Sequence, residues 1–346
     1  MRKTGGGNCA GPAVLTCSRK LIGLTRFPSK AASSAKLMTP IFEVLDPGSY
    51  YMSGQCTNRY DGDIISHSVL TGMKSLFQGR RGQRVTIERL WYGLDEWQFG
   101  DLRLPQGARG RFPLLVLIHG GFWREQYGLD LMEPMAQDFT LRGYATFNVE
   151  YRRVGQKGGG WPGTALDAAL AIDHVRQIAE SFPIDLERIT VIGHSAGGHL
   201  ALWLAGRYQL PPTDLLSGSS LVTISRVVSL AGVVDLEEMW QAPHAREPVT
   251  QLMGGPPDTL PAEYKTASPI NLLPIGIEQV LVHGTHDDRV PLRQSRHYLQ
   301  KARALGDKVT LLELEGADHF HLITPNSIAW PPIVAAVCEK PNHLNR

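Results

Sequence analysis

From about residue 83 onward, short β-branched or aromatic runs alternate with helical segments, and this alternation restricts the fold more than any other feature. Leu114-Leu115-Val116-Leu117-Ile118 is apolar at every position, as a central strand covered on both faces must be. Further strands are predicted at Ala145 to Glu150, Ile189 to Ile192, Val227 to Leu230, Gln279 to Val282 and Val309 to Leu314. Helices are predicted at Thr164 to Ser181, Ala196 to Arg207 and Pro291 to Leu305. The first helix shows an apolar stripe of Leu166, Ala169, Leu170, Val175 and Ile178, and Pro183 stops it. Ahead of these, Gln83 to Tyr92 and Trp97 to Leu104 read as a hairpin joined by Gly93-Leu94-Asp95-Glu96. The pattern predicts an α/β fold with a mostly parallel central sheet and helices on both faces. Residues 83–346 are expected to form one domain. Between Asp235 and Ile275 seven prolines interrupt the rhythm, so 235–275 is expected to be a small cap or an irregular insertion.

Composition narrows the partners. Thirty-five basic residues against 33 acidic ones give a net charge of +2 in 346 residues, which offers no electrostatic reason to bind nucleic acid or an anionic membrane. No apolar run approaches the roughly 20 residues needed to span a bilayer. Nothing specifies an oligomeric state. Residues 1–82 read as an N-terminal extension. Its first forty residues carry seven Lys or Arg and no acid, which fits a disordered tail, extra sequence from an upstream start, or an organellar transit peptide. Cys9, Cys17, Cys56 and Cys338 show no CxxC spacing. A disulfide framework is therefore not expected, and a reducing, cytoplasmic setting is, with an organelle as the alternative.

The chemistry concentrates around Gly193-His194-Ser195-Ala196-Gly197. A strand leads in and a helix leads out, so the turn must be tight. Glycine is needed at 193 and 197 because side chains there would meet the neighbouring strand and helix. A plain glycine-rich turn with an incidental serine is the competing interpretation. A serine hydroxyl becomes nucleophilic when a base takes its proton and an acid orients that base. Asp287, just past the strand Gln279 to Val282, and His319, just past Val309 to Leu314, are the candidates. Asp235 and Asp288 are rivals for the acid, and His321 for the base. His283 and His286 are expected to shape the loop. No HExxH or comparable spacing supports a metal site among these residues, and no cofactor is expected.

His119-Gly120-Gly121-Phe122-Trp123 directly follows the all-apolar strand. Acyl transfer needs backbone N–H groups aimed at a developing oxyanion, and glycines let the chain turn its amides inward. Ala196, the residue after the serine, is expected to supply another donor. Trp123 is expected to wall the acyl or leaving-group pocket.

Taken together, these motifs resemble the α/β-hydrolase superfamily, and within it the hormone-sensitive-lipase-like and kynurenine-formamidase-like esterases. The resemblance covers Gln83 to the C-terminus, about three-quarters of the chain. It implies the α/β-hydrolase fold and the Ser195, Asp287 and His319 triad in family order, with the Gly121 and Phe122 amides joining Ala196 in an oxyanion hole. The His-Gly-Gly-x-Trp form looks more like the formamidase and feruloyl-esterase-like groups than the lipases. Glu150-Tyr151-Arg152, Trp161-Pro162 and Asp167 are similar to the family's Tyr-Arg…Pro…Asp segment. An Arg152–Asp167 ion pair and a loop anchor at Trp161 would explain the same residues structurally. The expected activity is hydrolysis of a small-molecule carboxylic ester. Amide or formamide hydrolysis, arylformamidase-like or peptidase-like, is the alternative. A non-catalytic binding protein on the same scaffold is the third reading.

Overall fold

The computed structural model describes residues 86–107, 110–214, 216–217 and 222–338. The extension 1–82 and Cys9, Cys17 and Cys56 lie outside them. Eight strands form one sheet: β1 (Thr86–Trp91), β2 (Phe99–Leu104), β3 (Phe112–Ile118), β4 (Ala145–Val149), β5 (Ile184–His194), β6 (Arg226–Leu230), β7 (Glu278–Gly284) and β8 (Val309–Leu314). Their order is β1-β2-β4-β3-β5-β6-β7-β8. Strands β3 to β8 run parallel, while β2 lies antiparallel to both β4 and β1. This is the α/β-hydrolase fold.

The apolar run in β3 is explained by its two faces. Leu114, Val116 and Ile118 enter one buried layer, and Leu115 and Leu117 enter the other. Successive side chains point to opposite faces, so only a strand covered twice must be apolar throughout. The helices, in chain order, are α1 (Glu133–Leu141), α2 (Gly163–Ser181), α3 (Ala196–Gly206), α4 (Leu236–Trp240), α5 (Pro243–Met253), α6 (Pro261–Ala267), α7 (Arg293–Ala304) and α8 (Trp330–Val337). Helices α2, α3 and α7 contribute to the first layer, through Ile172, Trp203 and Tyr298 among others. Helices α1 and α8 contribute Phe139 and Ile333 to the second.

Details differ from expectation. Leu170 of the predicted α2 stripe is 45% exposed, and Ile172 is buried instead. Strand β5 begins at Ile184 rather than Ile189, because Phe112 and Pro113 pair with Ile184 and Asp185 before the register shifts. The segment 235–275, for which a cap or an irregular insertion is expected, carries helices α4, α5 and α6, with Pro243 and Pro261 in the first turns of α5 and α6, where a missing N–H costs nothing. Two side chains of α3 hold α6 in place. His199 Nε2 donates to the Ala267 carbonyl at 2.9 Å and Trp203 Nε1 to the Thr266 carbonyl at 3.1 Å.

The parallel arrangement decides where chemistry can occur. Strands β3, β5, β7 and β8 all end on the same sheet edge, so the residues that follow them, 119–123, Ser195, Asp287 and His319, emerge together. That edge is where open α/β sheets bind ligands.

Candidate active site

Ser195 links β5 to α3 with φ 56° and ψ −117°. A positive φ is unfavourable for a residue with a Cβ, by about 1–3 kcal/mol, and the surrounding contacts impose it. A Cβ on Gly193 would lie 2.0 Å from the Gly197 carbonyl oxygen, and one on Gly197 would lie 2.0 Å from that of Ile118. Only glycine at both positions lets strand and helix close this tightly. The Ser195 amide donates to the Leu230 carbonyl at 2.8 Å, and its own carbonyl accepts from the His199 amide at 3.0 Å. The residue is thus pinned by backbone, with its side chain at the α3 N-terminus, where the helix dipole favours negative charge.

Asp287 and His319 form a pair. His319 Nδ1 donates to Asp287 Oδ2 at 2.7 Å, while Asp287 Oδ1 accepts from the Arg289 and Val290 amides at 2.9 and 2.8 Å. Burial works against ionisation of Asp287. The His319 hydrogen bond and charge and the Val290 amide outweigh it, so its carboxyl sits below the usual range. An ionised carboxylate at Nδ1 fixes the proton there and leaves the Nε2 lone pair available. His194 ties this pair to the elbow: its Nε2 donates to the His319 carbonyl at 3.0 Å, and the two rings stack obliquely at 4.5 Å. Nothing in the pentapeptide beyond the presence of an imidazole distinguishes that role.

The rivals are placed elsewhere. Asp235 caps α4, accepting from the Glu238 amide at 3.0 Å, and the Asp288 side chain is 73% exposed. His321 faces Asp318, at 2.9 Å from its carboxylate. His283 is buried between the Ser295 hydroxyl and the Val290 carbonyl, each 2.8 Å away. Among the described residues, Asp235, Glu238 and His297 could converge on a metal, with donor atoms within 4.8 Å of one another. Asp235 is already engaged as the cap, however, and Glu238 pairs with Arg293 at 2.6 Å.

The loop after β3 takes three successive positive φ values, at Gly121 (109°), Phe122 (50°) and Trp123 (57°). A Cβ on Gly120 would lie 2.9 Å from the Ser195 Cβ, so the loop lies directly against the elbow. A buried polar cluster supports it. His119 Nε2 faces Glu150 Oε1 at 2.9 Å, and the Tyr151 hydroxyl donates to the His119 carbonyl at 2.9 Å. Glu150 also accepts from the Leu129 and Tyr151 amides. Burial opposes its ionisation, but His119, Arg153 and the Tyr151 amide prevail and hold the carboxyl below its ordinary value. In the sequence, only its position immediately after β4, on the active edge, points to this function of Glu150.

Trp123 is fully buried, with its ring edge-on to His199 at 5.3 Å. In this positive-φ loop the indole lies within the buried core layer rather than at the surface. Phe122 is the half-buried aromatic of this loop. Arg152 and Asp167 do form an ion pair, at 2.6 Å, and the Trp161 amide anchors its loop on the Leu252 carbonyl at 2.7 Å.

Burial pushes His194 down to about 3 and His199 down to about 4. Below the ordinary imidazole value near 6.5, the unfolded chain takes up protons that these neutral rings refuse, so stability is lost as pH falls. Lowering the pH from about 7 to about 5 should cost about 2 kcal/mol per ring. Urea denaturation at both pH values measures it; an unchanged unfolding free energy would contradict neutral, buried rings.

Fold and elbow define a member of the α/β-hydrolase class. The pattern of the BD-FAE family matches residues 101–302, more than half of the chain, and the chain belongs to that family. It is similar to esterase LipC of Mycobacterium tuberculosis, at 30% identity over 255 residues spanning 69% of this chain and 61% of LipC. The match therefore covers less than two thirds of LipC. Kynurenine formamidase of Danio rerio is 23% identical over 288 residues, 79% of this chain and 88% of that protein. Among solved structures, an inhibited esterase B from Lactobacillus rhamnosis gives a TM-score of 0.65 at 21% identity, covering 78% of this chain and 92% of the other. No helix among the described residues is long and apolar enough to cross a membrane.

Proposed function

We propose that the chain is a serine hydrolase that cleaves carboxylic esters of small molecules. The supporting observation is the His319 Nδ1–Asp287 Oδ2 contact of 2.7 Å, held beside the Ser195 elbow by His194. In this reading His319 Nε2 takes the Ser195 hydroxyl proton as Oγ bonds to the ester carbonyl carbon. The tetrahedral oxyanion is received by the Gly121, Phe122 and Ala196 amides. Collapse breaks the bond to the alcohol oxygen, which leaves with the proton from His319. Water then repeats the sequence on the acyl-enzyme and releases the acid. Asp287 holds the imidazole tautomer throughout. The catalytic unit is assigned to residues 83–346, with the helices of 235–275 as its cap.

Formamide or amide cleavage is the second reading, because the relatives include kynurenine formamidases as well as esterases. The same residues would serve both, and leaving-group handling separates them. The expected result is faster turnover of p-nitrophenyl butyrate than of N-formylkynurenine or a peptide anilide, with a fluorophosphonate labelling the peptide that contains Ser195. Preferential cleavage of the formamide would move the assignment to the second reading. Labelling at another serine would refute the nucleophile.

A further inference from the structure

The geometry points to His244 as a positioning and specificity-determining residue, a latch that closes the cap across the mouth of the active site. This inference rests on the ester-hydrolase reading. His244 is the second residue of α5, directly after Pro243, and its side chain is exposed. Its Nε2–H donates to the Arg289 carbonyl at 2.8 Å. The N–H of that same peptide unit, on Val290, donates to Asp287 Oδ1 at 2.8 Å, beside the Arg289 N–H at 2.9 Å. The cap is therefore one peptide unit away from the carboxylate that orients His319. The same imidazole meets the Phe122 ring edge-on, with centroids 6.5 Å apart, and Phe122 belongs to the oxyanion loop. One side chain thus spans the acid loop on one side and the oxyanion loop on the other.

The opposite end of α5 is held differently. Leu252 accepts from the Trp161 amide, and Gln251 accepts from Arg124 Nε at 3.2 Å. Helix α6 is fixed to α3 by His199 and Trp203. These contacts keep the cap docked if His244 is lost, so its removal opens the mouth without releasing the cap. Two effects follow. The outer boundary of the cleft retreats, admitting longer esters. The Asp287 loop also loses its outer brace, which lowers turnover of short esters through less exact placement of His319.

The test compares wild type, His244→Ala and His244→Gln on p-nitrophenyl esters from acetate to octanoate, with hydrogen exchange read at the amides of 287–290. Glutamine can still donate to the Arg289 carbonyl but lacks the ring that meets Phe122. In His244→Ala the octanoate-to-acetate ratio of kcat/KM should rise by about tenfold, kcat for acetate should fall, and 287–290 should exchange faster. His244→Gln should restore exchange towards wild type while retaining part of the chain-length shift. Unchanged exchange in His244→Ala overturns the latch. So does an unchanged chain-length profile in an enzyme that hydrolyses these esters. Should wild type cleave none of them, the ester reading fails and the exchange data alone decide the latch.

Discussion

Ser195→Ala is expected to lower kcat on an aryl ester by about 10⁵–10⁶-fold, the scale seen when a serine nucleophile is removed from a triad. The fold should survive, for reasons visible at the elbow. The bonds that pin residue 195 run through its amide and carbonyl, to Leu230 and His199, and do not involve the hydroxyl. Alanine keeps the Cβ, so the positive-φ backbone is no more strained than before. Glycines 193 and 197, which permit the close approach, are untouched. The thermal midpoint should therefore stay within a few degrees of wild type while fluorophosphonate labelling disappears. The measurement is steady-state turnover beside a melting curve. Turnover retained at a tenth of wild type, in protein shown to be pure, would remove Ser195 from the mechanism.

The features that made this site legible in sequence are those that local chemistry dictates. An unbroken apolar strand has to be covered on both faces, and β3 divides its side chains between two buried layers. Ser195 between two obligatory glycines has to be a tight strand-to-helix turn. Asp287 and His319 follow strands of one parallel sheet, so their convergence followed from topology once the sheet was inferred. What stayed hidden depends on contacts between distant segments. Glu150 reads like any strand-end carboxylate, since nothing local shows that it will be buried against His119, 31 positions earlier. His194 braces His319 across 125 residues. Helix α8 opens Trp-Pro-Pro, and paired prolines suggest a turn as readily as a first helical turn. The prolines of 235–275 likewise leave a cap and an irregular insertion both open, although Pro243 and Pro261 sit in first helical turns. The burial of Trp123 and the positive φ values of its loop are not encoded by spacing either.

Asp287→Asn is expected to reduce kcat by about 10⁴-fold with little change in KM. The size of the effect comes from the way the carboxylate divides its oxygens. Oδ1 accepts from two amides, those of Arg289 and Val290, and Oδ2 accepts from His319 Nδ1. In the asparagine variant the single amide oxygen is claimed by the two backbone donors, which have no other use for an NH₂ group. The NH₂ then faces His319. The imidazole can meet a donor only by presenting an unprotonated Nδ1, which moves its proton to Nε2 and turns the wrong tautomer towards Ser195. Geometry survives and the base does not. The acid-side behaviour provides a second check. In wild type the Asp287 carboxyl lies below its ordinary value, so the stability it contributes is complete above the usual carboxylate range and is lost as pH falls through the depressed value. The asparagine lacks that dependence. Wild type should therefore exceed the variant in unfolding free energy near neutral pH, with the gap shrinking below about pH 4. Urea denaturation across that range and kcat on p-nitrophenyl butyrate test both halves. A variant that keeps most of its turnover would show that His319 is oriented by some group other than Asp287.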